Sequence, residues 1–528
     1  MGYWARSPQV REQMVLISTS LDDRIPGDHP VRVIAEILEG YDWSLWENCY
    51  HGRRGQPPIH PSILAGVWLY ALRMGVRSSR KLEYMVSHNL DFMWLARGHT
   101  PDHTTLSQFR AKFGAELKDL FRHVVRVAMM AGLLELVDVA LDGTRVKANN
   151  SRHQTWNAAK IAATIEELSK TFEKLLAESR ATDTQEDGMG AVSGNILRED
   201  MKKLETRQAE LKAIQERLKE ADAARKKEGI DPQKNPAQIP MHDTDSKVLP
   251  NKEGGYAPNY TPMIAAEGCG GFIVDADVIA SANENTELLP CLERITQTCG
   301  QKPEHALADG AFATGPNIVG AAALEIEFFS NLPLPAAATN PAIRSDPTQP
   351  VAEADLPQLP ISPQSRRFDK ACFVYAPQAD VYYCPKGQPL PFEEMKSDFK
   401  KGEKTSARSY RCGACANCPL KPKCVSDSNK GGRTISRDSY ANEREEFARK
   451  MRTEAAQKTY GQRMHIGETS FALIKHVMGL RQFLLRGLEK VKVEWMWAAT
   501  AVNVNKLARS VLRSRAVAEA QLAAPATE

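Results

Sequence analysis

The chain has 528 residues, of which 42% are hydrophobic and 25% charged, and its formal net charge is +4. Those values describe a globular chain with room for about two to four domains, and they exclude a disordered polyelectrolyte. No apolar run reaches membrane-spanning length, and the mild positive charge permits nucleic-acid binding without requiring it.

The opening stretch MGYWARSPQVREQ lacks the basic-then-apolar pattern of a secretory signal, so the expected compartment is the cytoplasm. Residues 1–130 are expected to be helical. In HPSILAGVWLYALRMG, Ile63, Val67, Leu69, Tyr70 and Leu72 are the expected buried face after a His60-Pro61-Ser62 start. Ser78, Ser79, Arg80 and Lys81 open the next helix, which carries Leu82, Tyr84 and Met85. TPDHTTLSQFRAKFG then turns at Pro101-Asp102 into a helix with Leu106, Phe109 and Phe113 inward, and Arg110 and Lys112 directed elsewhere. Short helices with basic exposed positions suit DNA docking, with Arg80, Lys81 and Arg110 as candidate contacts. A plain helical bundle fits the composition equally well.

At residue 131 the pattern changes. LLELVDVALDGTRVKAN is expected to be a strand leading to Asp142, with Gly143 in a turn or close approach. Residues 155–228 carry apolar positions at helical steps in two charge-rich runs, which predicts a coiled two-helix hairpin. Such an arm could serve dimerisation or DNA contact, or be an inert insertion.

Residues 229–262 are expected to connect, before a β-hairpin with strands over 263–267 and 272–280. A helix, a strand ending at Asp309, a second helix and the short strand IEFFSN follow. This order, within 131–154 and 229–332, predicts a mixed sheet flanked by helices, the α/β class.

Residues 333–370 are rich in Pro and Ala and are expected to form a loop that buries little. Residues 371–430 hold Cys384 in a Cys-Pro-x-Gly knuckle, then Cys412, Cys415, Cys418 and Cys424. That density in a cytosolic chain points to structural zinc on four of the five thiolates, with an iron–sulfur cluster as the alternative. Residues 431–515 are expected to be helical and basic, and 516–528 a frayed tail.

On the helix expected over Tyr460–Lys475, Phe471, Ile474, Val477 and Met478 would form the apolar face, with Glu468 among the polar positions. Alone, Glu468 is a solvated carboxylate. Beside Asp142 and Asp309, each at the end of an apolar run, it completes a set able to hold two Mg²⁺ (or Mn²⁺) ions. Two such ions suit phosphodiester displacement, and the order of the three carboxylates matches an RNase H-like core.

ALDGTRVKAN, ALADGAFATGPNI and YGQRMHIGETSFALIK together resemble the D, D and E regions of DDE transposases of bacterial insertion sequences. Tyr460, Arg463, Glu468 and Lys475 fit the signature Tyr-x2-Arg-xn-Glu-x6-Lys of one superfamily, and the cysteine cluster before Glu468 fits one branch of it. Two positions depart: Phe471-Ala472 replaces the usual Phe-Gly, and Ala311-Phe312 an aromatic Gly-Tyr. Neither removes a carboxylate. The resemblance implies that Asp142, Asp309 and Glu468 are catalytic and bind two metal ions. It implies that Tyr460, Arg463 and Lys475 contact the DNA end and that the N-terminal helices bind terminal inverted repeats. It implies cleavage at the element ends and joining of the 3′-hydroxyls to target DNA, by a homodimer associated with the bacterial nucleoid. A catalytically inactive DNA-binding descendant, or an RNase H-like nuclease without strand transfer, are the alternatives.

Overall fold

The computed structural model describes residues 20–50, 57–151, 154–185, 193–227, 231–251, 254–332, 340–400, 403–426 and 431–523. The first 19 residues, the centre of the break between the two arm helices, part of the Pro/Ala stretch and the last five residues lie outside them. The elements, in chain order, are seven helices, α1 (Pro30–Glu39), α2 (Ser44–Glu47), α3 (Pro61–Arg73), α4 (Ser79–His88), α5 (Leu90–Leu95), α6 (His103–Lys112) and α7 (Gly114–Met130). Strands β1 (Asp138–Gly143), β2 (Val146–Lys147) and β3 (Thr155–Trp156) come next. Helices α8 (Ala158–Gln185) and α9 (Ser193–Lys227) occupy the arm stretch and pack on each other. Then come β4 (Ile239–Pro240), β5 (Lys247–Pro250), β6 (Tyr256–Glu267), β7 (Ile273–Ile279), α10 (Leu288–Cys299), β8 (His305–Ala308), α11 (Gly315–Ala323) and β9 (Glu327–Ser330). The remainder is β10 (Val374–Ala376), β11 (Val381–Tyr383), β12 (Pro389–Lys400), β13 (Glu403–Arg411), α12 (Lys421–Cys424), β14 (Thr434–Asp438), α13 (Ala441–Lys450), α14 (Glu454–Ala472) and α15 (Leu488–Ala523).

The fold is mixed α/β, in two compact units. Unit 1 comprises Met1–Glu284, Glu293–Lys302 and Met464–Glu528. At its centre is α15, whose Trp495, Trp497, Ala498, Val502 and Val504 are at most 1% exposed, so this helix is buried nearly all round over that span, with Thr500 and Asn503 as its buried polar positions. It packs on α3, α7 and β7. The Asn503 side chain accepts from Ile273 N at 2.8 Å and donates to Ile273 O at 2.7 Å, fixing the helix against β7. Strand β6 is hydrogen-bonded antiparallel to β1, β2, β5 and β7, with Asp142 opposite Ile264.

Unit 2 comprises Asn285–Leu292 and Pro303–Arg463. It contains the parallel pair β8–β9 and a five-stranded antiparallel sheet, β10 to β14 in sequence order. Among the described residues no helix is long and apolar enough to cross a membrane.

Four expectations are corrected. Residues 256–262 are not connection but the first half of β6, where Pro258 and Pro262 serve as acceptors, taking hydrogen bonds from Ala148 N and Thr144 N. The described Pro/Ala residues do bury surface: Ala342, Leu359 and Phe368 belong to the core of the cysteine region. Arg344 satisfies the carbonyls of Ala342, Pro347, Gln349 and Cys384, which lets this proline-rich backbone lie against that core. Ser436 lies in a strand, because β14 pairs with β13. The end of the chain is helical to Ala523, not frayed from 516.

Candidate active site

Helix α14 carries the Glu468 segment. Ile466, Ser470, Phe471 and Ile474 are buried at helical spacing, whereas Glu468 and Thr469 are exposed. The next turn, Leu473–Val477, is a π-turn, closed by Met478 N on Leu473 O at 3.0 Å. The wider turn rotates the helix surface. Val477, expected on the buried face, is therefore 55% exposed, while Met478 is buried.

Strand β1 carries Asp142, held between buried Leu141 and Gly143, and its Oδ1 accepts from Gly143 N at 2.9 Å. Gly467, directly before Glu468, lies against this strand: a Cβ there would stand 3.5 Å from Asp142 Cβ and 3.7 Å from its Oδ2. The helix backbone at Gly467 thus packs directly beside the aspartate, at a spacing that would also admit an alanine.

Lys475 sits in the π-turn. Its Nζ donates to Thr144 Oγ1, and to Arg145 O at 3.4 Å. Arg145 in turn donates to Thr261 Oγ1 (2.7 Å), to Ala282 O (3.0 Å) and to Glu284 Oε1 (2.6 Å). Both side chains of the Arg145–Glu284 pair are 16% exposed, so the pair is little screened. Gly143 is pressed against the same carboxylate; a Cβ would fall 2.0 Å from Glu284 Oε2. Beyond the π-turn the chain returns to this region, with Lys147 N donating to Arg481 O and Phe483 N to Lys147 O. Gly143 thus makes the close approach expected of it, while Thr144, Arg145, Glu284 and Gly467 surround the Asp142 turn without having been assigned roles from the sequence. Gly467 carried a signal, its place beside Glu468. Glu284, in the polar run SANENTE, carried none.

Unit 2 holds Asp309, Tyr460 and Arg463. Asp309 follows β8 and caps the turn after it, accepting from Ala311 N at 2.9 Å, while its carbonyl accepts from Ser330 Oγ at 2.6 Å. The Arg463 guanidinium stands 5.9 Å from the Tyr460 ring centre, one turn apart on α14. Among the described residues, no three or more His, Cys, Asp or Glu side chains are grouped to hold a metal ion.

Of the expected N-terminal DNA contacts, Arg80 and Lys81 are exposed in the first turn of α4, which Ser78 caps. Arg110 is not available. It is 7% exposed, lies over the Trp68 ring at 4.9 Å and donates to Arg77 O at 2.8 Å. Its stem points into the bundle, where Trp68 and a backbone carbonyl replace water. Tyr84, on α4, is 60% exposed and stacks on His88.

The five cysteines named above line one small cavity of about 20 Å³. Cys384, Cys412, Cys415 and Cys424 are buried and Cys418 is half-buried. The knuckle forms as expected: Gly387 N donates to Cys384 O at 2.8 Å, and Gly387 has the positive φ of 71° that the turn requires. A hydrogen bond from Cys412 lowers the Cys384 thiol pKa, and the same bond raises that of Cys412. Burial pushes Cys424 up to about 12. Cys372, in the same core, is turned away and donates to Pro360 O at 3.2 Å.

Comparison with known families gives two matches. Residues 383–508 match the family model described as Transposase DDE domain, a span that contains Glu468, Tyr460, Arg463, Lys475 and the five cysteines. Residues 19–112 match the model described as Transposase domain (DUF772), which covers α1 to α6. No curated protein matches the chain. The two matches support a DDE transposase of an insertion sequence.

Proposed function

We propose that this chain binds the terminal inverted repeats of an insertion sequence, cleaves its ends and joins the 3′-hydroxyls to target DNA. The observation that carries the proposal is the seating of the Glu468 turn on Asp142 through Gly467. Carboxylates on a strand end and on a facing helix are the donor set that hard divalent cations take. Asp142, Asp309 and Glu468 would hold two Mg²⁺ or Mn²⁺ ions, which when bound supply an activated oxygen nucleophile and stabilise the leaving oxygen. The catalytic core in this account is RNase H-like, formed by residues 131–154, 229–332 and 431–515.

The chain's own groups do the remaining work. Tyr460 and Arg463 orient the terminal strand, since a guanidinium suits phosphate. Arg80 and Lys81, exposed at the start of α4, meet the backbone of the inverted repeat. Residues 371–430 bind a structural zinc through four of Cys384, Cys412, Cys415, Cys418 and Cys424. The gathering of the five sulfurs around one small cavity supports that assignment. Two ends must be joined, so the working assembly is a homodimer. A bacterial cytoplasmic, nucleoid-associated enzyme is the setting that goes with it.

The test is cleavage of a labelled duplex carrying the element ends, with Mg²⁺ or Mn²⁺. Glu468→Gln and Asp142→Asn should each lower cleavage by about 10³-fold or more while DNA binding persists. Joining to a second duplex separates a transposase from a nuclease without strand transfer. Binding without cleavage under either metal would leave an inactive DNA-binding descendant. Zinc content measured on the purified protein should be about one ion per chain, lost on exposure to a strong chelator.

A further inference from the structure

The tie between Lys475 and Thr144 joins the two elements that carry Glu468 and Asp142. Lys475 is the middle residue of the π-turn, seven positions past Glu468, and Thr144 lies two positions past Asp142. The Lys475 ammonium donates to Thr144 Oγ1 and to Arg145 O. Thr144 is 2% exposed, so the bond forms away from bulk water, where a charge-assisted hydrogen bond is strong. The turn that receives it is rigid on its other side. Thr144 N donates to Pro262 O at 2.9 Å, and Arg145 is fixed by Glu284, Thr261 and Ala282. An ammonium anchored to a rigid turn constrains the helix that bears it.

We propose that Thr144 is a positioning residue: by receiving Lys475 it sets how the helix of Glu468 stands against the strand of Asp142. Lys475 then has a role within the protein, besides any contact with DNA. The proposal rests on the transposase chemistry above only for its activity readout.

The experiment compares full-length wild type with Thr144→Val, Thr144→Ser and Lys475→Met. Hydrogen exchange of residues 464–477 is followed without DNA, and cleavage is titrated with Mg²⁺. In Thr144→Val, exchange over 464–477 should quicken, and the Mg²⁺ concentration for half-maximal cleavage should rise, each by about tenfold, the usual effect of losing one charge-assisted hydrogen bond. DNA affinity should stay at the wild-type value. Thr144→Ser, which keeps the hydroxyl, should restore both. Lys475→Met should quicken exchange as Thr144→Val does, and combining the two should add nothing. Unchanged exchange in Thr144→Val overturns the proposal, as does equal loss in Thr144→Ser, which would assign the effect to the methyl group's packing. If Thr144→Val fails to fold, exchange in Lys475→Met decides alone. Absence of cleavage by wild type would count against the proposed function, while the exchange data would still decide the role of Thr144.

Discussion

The helical centre of unit 1 and the cysteine region of unit 2 are held together by different means. Around α15 the core is hydrocarbon: Trp46, Trp68, Trp495, Trp497 and Phe483 are all at most 1% exposed. Trp68, Trp495 and Trp497 donate their indole N–H groups to the backbone carbonyls of Leu106, Met263 and Arg110, and Trp46 donates to the Tyr41 hydroxyl. In the cysteine region, charged side chains replace much of that bulk. Arg437, 5% exposed, lies 3.9 Å from the Tyr375 ring centre and donates to Tyr382 and Glu445. Arg433 lies over Phe373 and donates to Cys424 O and Phe368 O. A large apolar core tolerates the loss of any one polar contact. A small one depends more on each tether.

Three substitutions probe that contrast. The largest effect is expected at Trp495→Ala, which removes a fully buried indole and should cost about 3–5 kcal/mol in denaturant unfolding. A smaller loss would mean that the hydrocarbon core is not what secures unit 1. Arg344→Met removes four hydrogen bonds to carbonyls while keeping a similar stem, and should cost about 2–3 kcal/mol, seen as earlier proteolysis confined to residues 340–440. Wild-type proteolysis in this variant would break the contrast, because the tether would then be dispensable. The smallest effect is expected at Gly467→Ala. Its Cβ meets Asp142 at an ordinary contact distance of 3.5 Å, and the gain in helix propensity of about 0.5–1 kcal/mol roughly offsets any crowding, so the melting temperature should stay close to wild type.

Legibility in the sequence followed the apolar pattern. Strand β1 and the Glu468 helix were found because buried residues recur at the period of each element. β12 and β13 were missed because their hairpin is a two-sided ribbon: Phe392 to Ser397 are all exposed, leaving no alternation to detect. The π-turn was missed because no residue type announces it, and Val477 was misplaced as a result. Arg110 was misread since charge predicts exposure only until an aromatic face and a carbonyl replace water. For the site, the resemblance supplied Tyr460, Arg463 and Lys475, whereas the Thr144 tie depends on a contact between residues 331 positions apart.

The proline-rich strap has a practical consequence for anyone dividing this chain into fragments. Composition places the edge of the cysteine region near residue 371, yet Ala342, Leu359 and Phe368 are part of its core and Arg344 holds its knuckle. A fragment cut at 371 would uncover that apolar surface and be prone to aggregate. The smallest piece with a chance of independent expression starts at Asn340, whose side chain donates to Ala371 O across the cut.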